Sequence, residues 1–69
     1  MKAKITKTVI EEGKEVYTNT LYNFPSFKDA QKRLLSIINK CEYRITTSSR
    51  NGFTCDKGFT KLIFKIVKQ

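Results

Sequence analysis

Lys61 and Lys65 stand four residues apart in a segment that alternates in character, Phe-Thr-Lys-Leu-Ile-Phe-Lys-Ile-Val-Lys over residues 59–68. On a strand, that spacing puts both ammonium groups on one face, opposite Leu62, Phe64 and Ile66. The same parity turns Lys2 and Lys4 outward if Ala3, Ile5 and Val9 point inward, and Arg44 outward if Tyr43 and Ile45 point inward. Five cations on one sheet face, set among Thr6, Thr46 and Ile63, suit a phosphate backbone carrying partly unstacked bases. A second basic stretch interleaves cations with rings: Arg50, Phe53, Lys57 and Phe59, between the turn signals Asn51-Gly52 and Asp56-Lys57-Gly58. Single-stranded nucleic acid is gripped in this manner, with bases on rings and phosphates on cations. Arg50, Phe53 and Lys57 are the expected contacts there. Phe59, adjoining the last strand, is expected to fold back over the core. A third group, Lys28, Lys32, Arg33 and Lys40, reads as the charged outer stripe of a surface helix.

Catalytic chemistry is poorly provided for. The chain has no His, so it lacks the usual neutral-pH base and any Ser-His or Cys-His pair. Gly13, Gly52 and Gly58 are isolated and form no phosphate-cradling loop. Cys41 and Cys55 lack metal-ligand spacing, and the carboxylates gather at one turn or have structural explanations. No enzyme, cofactor or metal is expected.

Charge bounds the partner. Fourteen Lys and Arg against six Asp and Glu give 69 residues a formal charge of +8. Glu11, Glu12 and Glu15 crowd around Gly13, so residues 11–15 carry net −2 and the rest +10. A polyanion is the first partner such a balance suggests. Apolar residues at 39% and charged residues at 29% make a folded composition rather than a disordered one. So short a chain buries only about 60% of its unfolded surface, so a homodimer is the expected extra source of stability. Two isolated cysteines are not a secreted disulfide framework, no signal segment opens the chain, and no apolar run approaches about 18 residues. The expected location is cytoplasmic, in the host cytoplasm if the protein is viral. Lys, Ile, Asn, Tyr and Phe make up 30 of 69 residues, a bias that fits a microbial or viral accessory protein.

The elements that must position these residues follow from periodicity. Residues 2–10 and 15–23 alternate and are rich in β-branched side chains, with a turn at Glu11–Lys14. Phe24-Pro25 ends the second strand. Ser26 and Asp29 form a capping pattern, and apolar positions from Phe27 through Ala30, Leu34, Leu35, Ile37 and Ile38 to Cys41 define an amphipathic helix over residues 27–40. Residues 42–49 and 59–68 supply two more strands. Between them, residues 50–58 form either a long loop or a hairpin extension of 53–55 around a bulge. The expected fold is a single α+β domain over 1–69: a four-stranded antiparallel sheet in β-β-α-β-β order, with one helix on one face.

The reading that follows is a small, non-enzymatic, basic module that binds nucleic acid, RNA or single strands ahead of duplex DNA. Its expected contacts are Lys2, Lys4, Arg44, Arg50, Phe53, Lys57, Lys61 and Lys65. The alternative is a protein-binding inhibitor or antitoxin-like, host-directed factor docking on an acidic protein surface.

Overall fold

The computed structural model describes residues 2–69. Alternating β-branched residues build β1 (Ala3–Glu11) and β2 (Lys14–Phe24), joined by Glu12-Gly13. Both turn residues have positive φ, 52° and 79°. This is the mirror-image two-residue turn whose twist matches the strands it connects. β2 departs twice from regular pairing with β1, skipping Leu21 and Val16. Such bulges break the outward ladder of an edge strand.

The helix α1 (Phe27–Lys40) runs over the residues the periodicity predicts. The Asp29 amide donates to the Ser26 hydroxyl at 3.2 Å, so the cap is formed from the expected pair. Ala30 and Leu34 are buried, and Phe27, Ile37, Ile38 and Cys41 pack against the core. Leu35, counted with the apolar stripe in the sequence, stands 60% exposed.

The last third of the chain corrects the sequence expectation. It holds three strands, β3 (Arg44–Ser49), β4 (Gly52–Lys57) and β5 (Thr60–Lys68). The sheet therefore has five antiparallel strands, not four, in the order β2-β1-β5-β4-β3. Residues 50–58 are neither a long loop nor a bulged extension of 53–55: Gly52–Lys57 is a full strand paired with β3 on one side and β5 on the other, and the register shift lies in β3, between Ile45 and Thr47. The reason is local. Alternation carries Phe53 and Cys55 to the helix side, beside Phe64 and Leu62 of β5, where burial far outweighs exposure in a loop. The turn sits at Arg50-Asn51, and Gly52 belongs to β4. A Cβ at Gly52 would run into the Phe64 carbonyl oxygen, so only glycine lets the two backbones approach this closely.

The core lies between α1 and the sheet: Ala3, Ile5, Val9, Leu62, Phe64 and Ile66 from β1 and β5, Phe53 and Cys55 from β4, and Ala30 and Leu34 from the helix. α1 packs on β1, β5 and β2. Overall extents of 35 × 23 × 15 Å amount to one sheet plus one helix. Among the described residues no helix lies on the second sheet face, where Thr6 is nonetheless buried, and no helix is long and apolar enough to cross a membrane.

Candidate nucleic-acid interface

Register defines the helix-free face. Reading across β2, β1, β5, β4 and β3, one row runs Glu15, Ile10, Lys61, Asp56, Arg44. The next runs Thr18, Thr8, Ile63, Thr54, Thr47, and a third Thr20, Thr6, Lys65, Gly52, Ser49. A fourth row holds Asn23, Lys4 and Val67. Lys4, Arg44, Lys61 and Lys65 thus share this face, as parity predicts. Between them lie ranks of hydroxyls, with the Thr8 and Thr18 oxygens 2.9 Å apart. Where Gly52 presents no side chain the face dips into a cavity of about 420 Å³, bordered by Thr47, Thr54, Ile63 and Lys65. Lys61 and Lys65 lie about 13 Å apart along β5.

The charge on this face is uneven. Asp56 stands opposite both Lys61 and Arg44 across its two ladders, and Glu15 closes the same row. Lys4 and Lys65 have no acid beside them in their rows. The end of the face near Lys4 and Lys65 is therefore its more positive end.

The other expected contacts separate. β4 separates Arg50, in the turn before it, from Lys57 at its far end, about 20 Å away. Lys57 lies on the helix side, its ammonium 5.3 Å from the centre of the Tyr43 ring. Arg50 borders a small hollow with Leu34, Leu35 and Ile38. Lys2 is exposed just ahead of β1, where its carbonyl accepts from the Gln69 amide. Phe53 is the clearest correction: it is 3% exposed and stacks on Phe64 with ring centres 4.6 Å apart. A ring held there is core and has no face to offer a base. Phe59, expected over the core, is 96% exposed instead. It follows Gly58 (φ 63°) at the tip of the β4–β5 turn, where nothing lies within reach to cover it.

Sequence reasoning missed one charged group. Parity puts Lys7 with Ala3, Ile5 and Val9 on the helix side of β1, and there it stands half-buried, between Asn19 and Phe64. Two helix cations join it. Arg33 does not stay on the outer stripe: its guanidinium lies 4.6 Å from the Tyr22 ring centre and donates to the Tyr22 hydroxyl at 3.1 Å. Lys7, Arg33 and Lys40 border one trench beside the helix, which the alternation signal in β1 could have revealed for Lys7.

Cys55 forms part of the trench floor. Burial pushes its thiol from 9.0 up to about 11, and the neighbouring Cys41 thiol adds to the rise, while Lys7 pulls the other way. The folded state thus holds this proton more tightly than the unfolded chain. The stabilisation is complete below pH 9 and is lost as pH rises towards 11, a difference on the order of 2–3 kcal/mol. Cys55→Ala should remove that alkaline loss, read as the difference between the two proteins in urea unfolding at pH 8 and 10.5. At pH 8 the native protein should gain no iodoacetamide adduct at Cys55, and should gain one after unfolding, as peptide mass spectrometry would show.

Among the described residues no group of His, Cys, Asp or Glu could hold a metal ion. Comparison with family models, with curated proteins and with solved structures found no match. What defines the chain is its class: an α+β domain with one helix on a five-stranded antiparallel sheet.

Proposed function

We propose that this protein is a non-enzymatic module that binds single-stranded nucleic acid, RNA ahead of duplex DNA, on the helix-free face of its sheet. The observation that carries the reading is the convergence of Lys4, Arg44, Lys61 and Lys65 on a face furnished with threonine hydroxyls. Ammonium and guanidinium groups take phosphates, and hydroxyls can bond to phosphate oxygens or to ribose 2′-OH groups. The outer helix face offers mainly Lys28 and Lys32, which read no base edges. The expected setting is the cytoplasm, in a small accessory protein of microbial or viral origin.

Four phosphate contacts predict that log affinity for a single strand falls against log salt with a slope of about −3. Lys61→Glu with Lys65→Glu should weaken binding about 100-fold while leaving the unfolding midpoint near that of the parent. Asp56→Asn, which removes the acid facing Lys61 and Arg44, should strengthen binding about threefold. Fluorescence anisotropy with a labelled oligoribonucleotide reads all three. A flat salt response, or an Asp56→Asn protein that binds no better, would count against the proposal.

The protein-partner reading draws on a different observation, the bare Phe59 ring and the exposed Val16, Tyr17 and Leu21 of edge strand β2. Affinity capture with and without nuclease separates the two. A stoichiometric protein that survives nuclease favours the partner, and loss of captured material favours nucleic acid.

A further inference from the structure

On the helix side, the trench encloses a cavity of about 420 Å³, within the size range of small-molecule sites. Its floor is apolar and fixed: Phe53 stacked on Phe64, with Leu62 and Cys55 beside them. Its rim is cationic, with Lys7, Arg33 and Lys40 from two different elements, and half-buried Ser36 also borders it. Tyr22 and Tyr43, each 40% exposed, also border it. Glu42 is the single carboxylate in the lining.

Lys7 is the informative group. Its strand neighbours on the same face are Ile5 and Val9, both buried, and across the ladders it meets Asn19 and Phe64. None of these is an anion. The Lys7 stem lies along this apolar surface, and its charge finds no carboxylate on either neighbouring strand. Arg33, meanwhile, is held against Tyr22 by a hydrogen bond and by the ring, so its fork is positioned before any ligand arrives. A preset guanidinium, a half-buried lysine and a second lysine, beside two exposed tyrosine rings, match a ligand with one compact anionic end and one flat aromatic body.

We propose that this trench binds a nucleoside monophosphate unit, its phosphate taken by Lys7, Arg33 and Lys40 and its base lying against the exposed rings of Tyr22 and Tyr43 at the rim. The site lies on the opposite side of the sheet from Lys4, Lys61 and Lys65, and it stands whether or not that face binds a strand. The unit has two sources of the same chemistry, a free nucleotide or the phosphorylated end of a chain.

Calorimetric titration of the full chain tests it with adenosine 5′-monophosphate, adenosine, and a short oligoadenylate with and without a 5′-phosphate. The monophosphate should bind, and adenosine should bind about tenfold more weakly or not measurably, because it lacks the charged end. Lys7→Met should lower affinity about tenfold, whereas Lys28→Met, which removes the same charge from the outer helix face, should change it less than about twofold. Lys7→Met makes the helix side more apolar and should not cost stability, so thermal unfolding of the variant separates a lost contact from a lost fold. A 5′-phosphorylated oligomer that binds more tightly than both the free nucleotide and the unphosphorylated oligomer assigns the unit to a strand end. Equal or weaker binding assigns it to the free nucleotide. The proposal is overturned if neither ligand heats the cell at a concentration of about 5 mM, which is weaker than about 3 kcal/mol of binding, or if Lys7→Met and Lys28→Met bind alike. Loss of oligomer binding in Lys61→Glu with Lys65→Glu, with monophosphate binding retained, would keep the two sites distinct.

Discussion

Phe53→Ala should destabilise the fold by about 3–5 kcal/mol, the usual loss when a buried aromatic ring is truncated. Phe53 is 3% exposed and its ring lies almost parallel to that of Phe64, 13° between planes, so removing it empties space beside a second large side chain. A domain of 69 residues has a total stability of only about 3–10 kcal/mol. The variant should therefore be near or past its unfolding midpoint at room temperature. Urea unfolding followed by circular dichroism checks this, with Phe53→Leu as a milder companion expected to lose about 1–2 kcal/mol and remain folded. The pair also discriminates between roles. A base-stacking ring would lose binding on truncation and keep its stability. A core ring loses stability, and the leucine variant keeps whatever binding the surface provides.

A β-branched side chain at Gly52 is the second large effect. The Phe64 carbonyl oxygen and the Lys65 Cα occupy the space a Cβ would need, and both are backbone atoms that cannot swing aside. Gly52→Val must push β4 away from β5 where the Ile66 amide donates to the Asn51 carbonyl at 2.7 Å. The expected cost is about 3 kcal/mol, at the upper end for overpacking, or roughly 12 °C or more in Tm for a domain this small. Gly58→Val is a poor control because Gly58 has a positive φ of its own. Thr54→Val, on the helix-free side of the same strand, is a better one and should change Tm by only a few degrees, about 0.5 kcal/mol.

How much could be read from residues alone depended on whether local periodicity or a distant neighbour decided the outcome. The helix was legible to the residue, because Ser26, Asp29 and the apolar spacing act within a few positions of one another. The sharing of one face by Lys4, Arg44, Lys61 and Lys65 was equally legible, since alternation alone requires it once the inward residues are chosen. The fifth strand was not. Residues 52–57 are short, contain turn-forming Asn51-Gly52 and Asp56-Lys57-Gly58 at their borders, and become a strand only because β5 offers Phe64 and Leu62 alongside. The exchange of roles between Phe53 and Phe59 follows from the same cause, as β4 turns one ring inward and leaves the other on a hairpin tip. Arg33 was misread for a related reason: helical spacing offers it to Asp29, whereas its hydrogen bond and its ring contact are both with Tyr22, eleven positions away.

The centre of the sheet is the antiparallel pairing of β1 with β5, which sets Ala3 against Lys68. The earliest-made strand pairs with β2 at once, but its other edge must wait for the latest-made one, so a nascent chain remains without its middle ladder until some sixty further residues have emerged. Folding should accordingly be slow for a domain of this mass, in the millisecond-to-second regime of topologies dominated by non-local pairing. During that interval the free edge of β1, from Ala3 to Glu11, lies open, and assembly in the cell favours low local concentration of the growing polypeptide or a companion that masks that edge.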